Sequence, residues 1–159
     1  MHADKAELQD FLSLSSVITG FTAFQLRGTG QAESYFAALI DILGEGTVTA
    51  LLHAFRRVRQ EAGADEAALD RRLRADLLSD EKLGPVTRNL IKLWYVGTWY
   101  QLPAAWRGAF GELEGDATTV VSPAAYTEGL LWPAIGANPA GAKGPGYGTW
   151  SDPPRIPEV

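Results

Sequence analysis

Hydrophobic side chains recur three and four positions apart through much of the chain, which is the spacing of amphipathic α-helices. The first of these stretches begins at Asp4, a good N-cap residue, and is stopped by Gly20. Residues 36–43 and 48–58 each carry one clean apolar stripe and predict two further helices. Residues 21–30 follow neither a helical nor a strand pattern, and their structure is left open.

A fourth and more polar helix is predicted to start after Asp65, which can cap its first turn. Asp70 and Arg74 lie four positions apart on this helix and are expected to pair on its surface. Further along, Ser122 stands before a proline, which is the N-cap signature of a short helix, and residues 118–121 suggest a brief extended stretch.

A fifth helix is predicted over residues 85–102, with proline at its favoured first position and another proline just past its end. At 100° per residue its apolar side chains fall on two sides, Trp94 flanking one and Tyr95 and Trp99 the other. A surface helix has one apolar face, so this helix is expected to be central or shared with a partner. Gly97 in its interior suggests close backbone approach.

Regular structure is predicted to end after Trp132, because the rest of the chain alternates proline and glycine. Tyr147 and Trp150 lie within this stretch, whereas disordered tails are usually poor in aromatic residues. We therefore expect a helical domain over residues 1–132 and an extended arm over residues 133–159 that packs on a partner. The predicted fold class is all-α, a small bundle of about five or six helices.

Composition narrows the classes of function. The 159 residues carry a net charge of −5, and no basic surface of the kind that binds nucleic acid is evident. No apolar run approaches the roughly 20 residues that cross a bilayer, so direct membrane insertion is not expected. The N-terminal residues show no signal-peptide pattern, so either the chain is cytoplasmic or a targeting segment has been removed.

Residues with catalytic chemistry are scarce. The chain has no cysteine and two histidines, His2 and His53, which cannot by themselves assemble a metal site or a nucleophile with its base. Neither of its short glycine-rich stretches has the dinucleotide-binding pattern. The alternating acidic residues 112–116 lack a calcium-loop frame and are expected to be solvated. A chain with many aromatic residues and few residues suited to catalysis is more typical of a protein that binds a partner.

Three ordered motifs resemble those of one family. Residues 11–20 read Phe-x-x-Leu-Ser-x-x-Ile-Thr-Gly, and residues 91–97 form an apolar stretch ending in Trp-Tyr-x-Gly. Residues 126–132, ending in Leu-Leu-Trp, are followed by Gly-Tyr-Gly-Thr-Trp at 146–150 and by two adjacent prolines. In this order the chain resembles the small subunits of bacterial FAD-dependent sugar and polyol dehydrogenases, which include sorbitol, fructose and glucose dehydrogenases.

The resemblance implies a non-catalytic chain with no cofactor or metal of its own. FAD would be bound by the partner, a large flavoprotein of the glucose–methanol–choline (GMC) oxidoreductase class, and a cytochrome c subunit accompanies many such pairs. The small subunit aids folding of the large one and is commonly exported with it to the periplasm under a twin-arginine signal, which this sequence lacks. The residues expected to contact the partner are Tyr95, Trp99, Trp132, Tyr147 and Trp150.

One alternative function remains open at this point. The chain could be a stand-alone small-molecule binding domain or enzyme, in which Trp94, Trp99 and Trp132 line a pocket that stacks sugars. Binding of a sugar by the chain expressed alone would distinguish this alternative from the accessory subunit.

Overall fold

The computed structural model describes residues 5–143, which form a mainly helical domain. A π-helical turn, Leu73–Leu78, continues α5 without a break. The strands β1 (Thr98–Trp99) and β2 (Thr119–Val120) pair antiparallel in a two-residue ladder. The α-helices of the described residues are α1 Lys5–Thr19, α2 Ala23–Gly28, α3 Ala32–Leu43, α4 Glu45–Ala62, α5 Glu66–Arg72, α6 Leu83–Val96, α7 Ala104–Phe110, α8 Ala125–Glu128 and α9 Leu131–Ala134.

The four longest helices form the core. Helix α1 packs against α2, α3, α4 and α6, while α4 also contacts α3 and α5. The apolar stripes predicted on α3 and α4 face inward, as Leu39, Leu51 and Phe55 show by being at most 1% exposed. The predicted all-α class is confirmed in this coarse sense, with a minimal two-stranded ladder as the exception.

The helix count differs from the predicted five or six because several short helices carry too few residues to show a period. Helix α2 falls in the stretch that the pattern left open. Its start is fixed by a capping box, in which the Thr22 hydroxyl accepts from the Gln25 N–H and the Gln25 side chain accepts from the Thr22 N–H. Helix α7 follows Pro103, which the sequence had indicated as the end of a helix.

Several local predictions are confirmed. The Asp65 carboxylate caps α5 by accepting from the Ala68 N–H at 3.0 Å. Arg74 donates to Asp70 at 3.0 Å across one turn of helix. The brief extended stretch before Ser122 is the strand β2.

The prediction that the fifth helix runs to residue 102 with an interior glycine is wrong. Helix α6 ends at Val96, and Gly97 is its C-cap, in the left-handed region with φ 71°. Trp99 therefore lies in β1 and not on a helical face, so its angular position relative to Trp94 has no meaning. A glycine directly after an apolar helical stretch, such as Gly97, is itself a helix-stop signal.

The predicted boundary after Trp132 falls inside α9, so regular structure does not end there. Beyond α9 the chain turns back, and the Ala137 N–H donates to the Trp132 carbonyl at 2.9 Å. Pro139 is buried, and the Lys143 ammonium pairs with Glu128. The remainder of the predicted arm, residues 144–159, lies outside the described residues.

Among the described helices, no single one is long and apolar enough to cross a membrane. Helices α3 and α4 meet the length and composition together, but they are bent by 118° where they join.

Candidate partner-binding surface

The parts of the three sequence motifs that the structure describes meet at the C-terminal end of α6. The buried Ser15 hydroxyl accepts a hydrogen bond from the Trp94 indole N–H at 2.9 Å. One residue further, the Tyr95 hydroxyl donates to the Thr19 carbonyl at 2.9 Å. Both donors come from α6 and both acceptors from α1. The two hydrogen bonds join residues that are 79 and 76 positions apart, and they fix the two helices against each other.

The third motif closes over the same helix end. The Leu130 N–H donates to the Trp94 carbonyl at 3.0 Å, and the Val121 N–H donates to the Gly97 carbonyl at 3.2 Å. Carbonyl groups at a helix C-terminus have no partner within the helix, so this segment supplies partners from outside. We call the cluster formed by Ser15, Trp94, Tyr95, Gly97 and Leu130 the junction.

Two glycines allow the close approach at the junction. A Cβ atom at Gly129 would lie 2.6 Å from the Tyr95 carbonyl oxygen, and one at Gly97 would lie 2.6 Å from Ala125. Gly97 also needs its positive φ, which other residues rarely adopt. The predicted close backbone approach at Gly97 is therefore present, at a helix end and not in a helix interior.

Trp99 is an internal anchor of the fold. It is 0% exposed, and its indole N–H donates to the Asp116 carboxylate at 2.9 Å. The same carboxylate, itself 3% exposed, accepts from the Leu102 N–H at 3.0 Å. The acidic loop is thus not wholly solvated as expected, and Trp99 is not on the surface of this chain where a partner would contact it. The strand β1 follows α6 directly into the interior, so the Trp99 side chain packs in the core.

Tyr95 and Trp132 are half-buried. The Tyr95 ring meets Phe21 edge-on, with ring centroids 6.2 Å apart, and its hydroxyl is already used at the junction. Trp132 meets Tyr126 edge-on at 5.5 Å, and its N–H donates to the Tyr126 carbonyl at 2.8 Å. Both retain some exposed surface, whereas Tyr147 and Trp150, also predicted to contact the partner, lie outside the described residues.

An open groove of about 400 Å³ lies beside the junction. One wall comes from α2 and its flanks, and the other comes from α8, α9 and the turn that follows. Among the three predicted partner-contacting residues that the structure describes, Trp132 lines the groove. The lining residues used below are Phe21, Gly28, Glu128, Leu130, Trp132, Pro139 and Lys143.

Large apolar side chains are exposed on the segments that form the two walls. Phe24 on α2 is 85% exposed and lies one helical turn before Gly28, which lines the groove. On the opposite segments, Tyr126 is 47% exposed and Ile135 is 46% exposed. We call Phe24, Tyr126, Trp132 and Ile135 the apolar rim.

Sequence reasoning missed Phe24, Tyr126 and Ile135 as candidate contacts. For Phe24 a signal existed, since the Thr22–Gln25 capping box defines a helix whose short length cannot bury every apolar side chain. Tyr126 and Ile135 had no such signal, because exposure there depends on how the last segments fold back.

The groove has paired charges and a buried tyrosine nearby. The Glu128 carboxylate and the Lys143 ammonium are 2.5 Å apart. Burial, with a smaller contribution from the Glu128 charge, raises the pKa of Tyr35 to about 12. None of the residues that the structure describes hydrogen-bonds to the Tyr35 hydroxyl.

Within residues 5–143, no group of three or more His, Cys, Asp or Glu side chains could hold a metal ion. His53 is exposed on α4 and has no carboxylate hydrogen-bonded to it among the described contacts.

Comparisons with known proteins add no relative: no family model, no curated protein and no solved structure matches this chain.

Proposed function

We propose that this chain is the non-catalytic small subunit of a GMC-type FAD-dependent sugar or polyol dehydrogenase. In this role it folds and stabilises the flavin-containing large subunit and accompanies it to the periplasm. FAD is bound by the partner, and this chain contributes neither a cofactor site nor catalytic residues. A cytochrome c subunit completes the complex where electrons pass to a respiratory chain.

The resemblance of the three ordered motifs is the first support for this proposal. Their residues are distant in sequence but converge at the junction, where Ser15, Trp94 and Leu130 are linked by hydrogen bonds. Motifs that meet in space form one structural unit, so their joint presence is better explained by a shared fold than by chance likeness of each stretch alone.

The observation that carries the proposal is the apolar rim. Phe24 is 85% exposed, and Tyr126 and Ile135 are each nearly half exposed, so the segments that form the groove carry apolar surface that water solvates poorly. Surface aromatics beside a groove are typical of protein interfaces, where they fill pockets and carry much of the binding energy. We place the partner contact at this surface, with Tyr95 at its edge and with the predicted contacts Tyr147 and Trp150 continuing it.

The stand-alone sugar-binding alternative loses its stated basis. It required Trp94, Trp99 and Trp132 to line one pocket, but Trp94 is 1% exposed and Trp99 is 0% exposed. Both indole N–H groups are also occupied by internal acceptors, Ser15 and Asp116. Of these three tryptophans, only Trp132 lines the groove.

The proposal is tested by searching the genes beside its own for a GMC-type flavoprotein and by co-expressing the two chains. We expect the two to co-purify as a complex with flavin absorbance and dye-linked sugar oxidation. The chain purified alone is expected to show neither. Turnover by the isolated chain, or a soluble and fully active flavoprotein that never binds it, would contradict the accessory role.

A further inference from the structure

The last residue that the structure describes stands at the wall of the groove. Lys143 lines the groove, and its ammonium pairs with the Glu128 carboxylate at 2.5 Å. A turn leads into it, closed by the Ala142 N–H, which donates to the Pro139 carbonyl at 3.1 Å. The rest of the chain, residues 144–159, is therefore joined to the helical domain at the groove itself.

The groove offers apolar surface on both of its sides. Phe21 lines one wall and Trp132 lines the other. Phe24 on α2 and Tyr126 on α8 add aromatic rings that are 85% and 47% exposed. Each Å² of apolar surface that is removed from water contributes about 25 cal/mol, so a segment that covers these rings is stabilised there.

The sequence just beyond Lys143 supplies side chains that suit this surface. Tyr147 and Trp150 lie four and seven positions after it. At most about 3.3–3.6 Å per residue, seven residues reach roughly 23–25 Å, which is far more than the width of a groove of about 400 Å³. Both aromatic residues are thus within reach of either wall.

The covalent link also favours this segment over a separate chain. A segment tethered by a short linker has an effective concentration of roughly millimolar at its own binding site. A separate molecule with equal contacts would need a similar free concentration to compete with it. The point where the chain leaves the domain therefore indicates which segment covers the groove.

We propose that the groove is the binding site of the chain's own residues 146–150, with Tyr147 and Trp150 packed on the apolar rim. In the isolated chain this segment covers the rim. A partner that binds the rim displaces the segment, and this frees Tyr147 and Trp150 for contacts with that partner. The inference does not rest on the proposed function, since it concerns contacts within one chain.

Disulfide trapping in the full-length chain tests the proposal. The sequence has no cysteine, so two introduced thiols are the only ones present. We choose Gly28→Cys, because Gly28 lines the groove and nothing lies within 4 Å of a Cβ atom there, and Ser151→Cys, which adjoins Trp150. Under mild oxidation of dilute protein, we expect this pair to form an intramolecular disulfide rapidly.

Gly108→Cys combined with Ser151→Cys is the matched control. Gly108 also has nothing within 4 Å of a Cβ atom and also lies near the C-terminal end of a helix, but it does not line the groove. We expect the Gly28→Cys pair to close at least about tenfold faster than the control pair, because docking raises the effective concentration of the two thiols.

A second variant separates docking from mere proximity along the chain. Tyr147→Ser with Trp150→Ser, added to the Gly28→Cys pair, should slow closure to the rate of the control pair. Equal rates for the two cysteine pairs, or a Gly28→Cys advantage that survives loss of both aromatic residues, would overturn the proposal. Disulfide-linked dimers as the main product would also overturn it, because they would assign the groove to a second copy of the chain.

Discussion

The junction and the apolar rim are both rich in aromatic residues, yet they use them in opposite ways. At the junction, Trp94 is 1% exposed and its N–H is bonded to Ser15. At the rim, Phe24 is 85% exposed and Tyr126 is 47% exposed. At the junction the aromatic side chains hold two distant segments together, whereas at the rim they remain exposed and can contact another surface. Aromatic content alone therefore does not reveal which residues meet a partner.

The junction also adjoins the groove beside the apolar rim, so it can support the surface that a partner would contact. Leu130 belongs to the junction through its N–H and lines the groove with its side chain. A partner on the rim would therefore rest on a segment already anchored to α6. Rigid support of this kind lowers the entropy that binding must overcome.

Removing a fully buried tryptophan should have the largest effect on stability. Trp94→Ala and Trp99→Ala are each expected to lower the free energy of unfolding by about 3–5 kcal/mol, because each empties a fully buried aromatic site. Trp132→Ala, at the half-buried groove, should cost clearly less. Urea unfolding of the three variants measures this, and a spared fold in Trp99→Ala would restore its role as a surface contact.

The buried Tyr35 predicts a loss of stability at high pH. Its pKa is about 12 in the folded chain and 10 when solvated, so the unfolded state loses the proton first as pH rises. Its contribution is complete below pH 10 and falls by about 2–3 kcal/mol as the pH approaches 12. Tyr35→Phe should flatten this part of the stability curve; an unchanged slope would mean that Tyr35 is solvated in the folded state.

Gly129→Ala tests the close backbone approach at the junction. The added methyl group would lie 2.6 Å from the Tyr95 carbonyl oxygen, so we expect a loss of about 1–3 kcal/mol. Gly108→Ala is the control, since nothing lies within 4 Å of that position on α7 and alanine favours the helix by about 1 kcal/mol. Melting temperatures that fall equally in both variants would contradict the close packing.

The rim should tolerate substitution. Phe24→Ser is expected to change the free energy of unfolding by no more than about 0.5 kcal/mol, because the side chain is 85% exposed. A loss above about 2 kcal/mol in urea unfolding would place Phe24 in the fold and remove the distinction between the two regions.

How much of this structure the sequence could predict depends on how far apart along the chain the interacting residues lie. Helical stripes such as that of α4 and caps such as Asp65 depend on neighbours a few positions away and were predicted. The end of α6 was missed although Gly97 marked it, because the aromatic residues beyond the glycine extended the apparent period. The burial of Trp99 depends on Asp116, 17 positions away, and no local pattern shows that contact.

The candidate surface was predictable only in part for the same reason. Trp132 was named from its aromatic character, and it does line the groove. Tyr126 and Ile135 became candidates only once α8 and α9 were seen to fold back beside α2. Exposure is a property of the whole packing arrangement, so it cannot be obtained from the spacing of residues along one segment.

The most direct test of the central claim is the yield of soluble, FAD-containing large subunit when that flavoprotein is co-expressed with variants of this chain. We expect Phe24→Ser combined with Tyr126→Ser to lower that yield and the recovery of the complex at least tenfold, while the isolated variant keeps its native melting temperature. Tyr100→Ser, which removes an aromatic of similar exposure (41%) that is not part of the apolar rim, should leave both yields unchanged. Equal recovery with all three chains would contradict the assignment of the rim as the partner-binding surface.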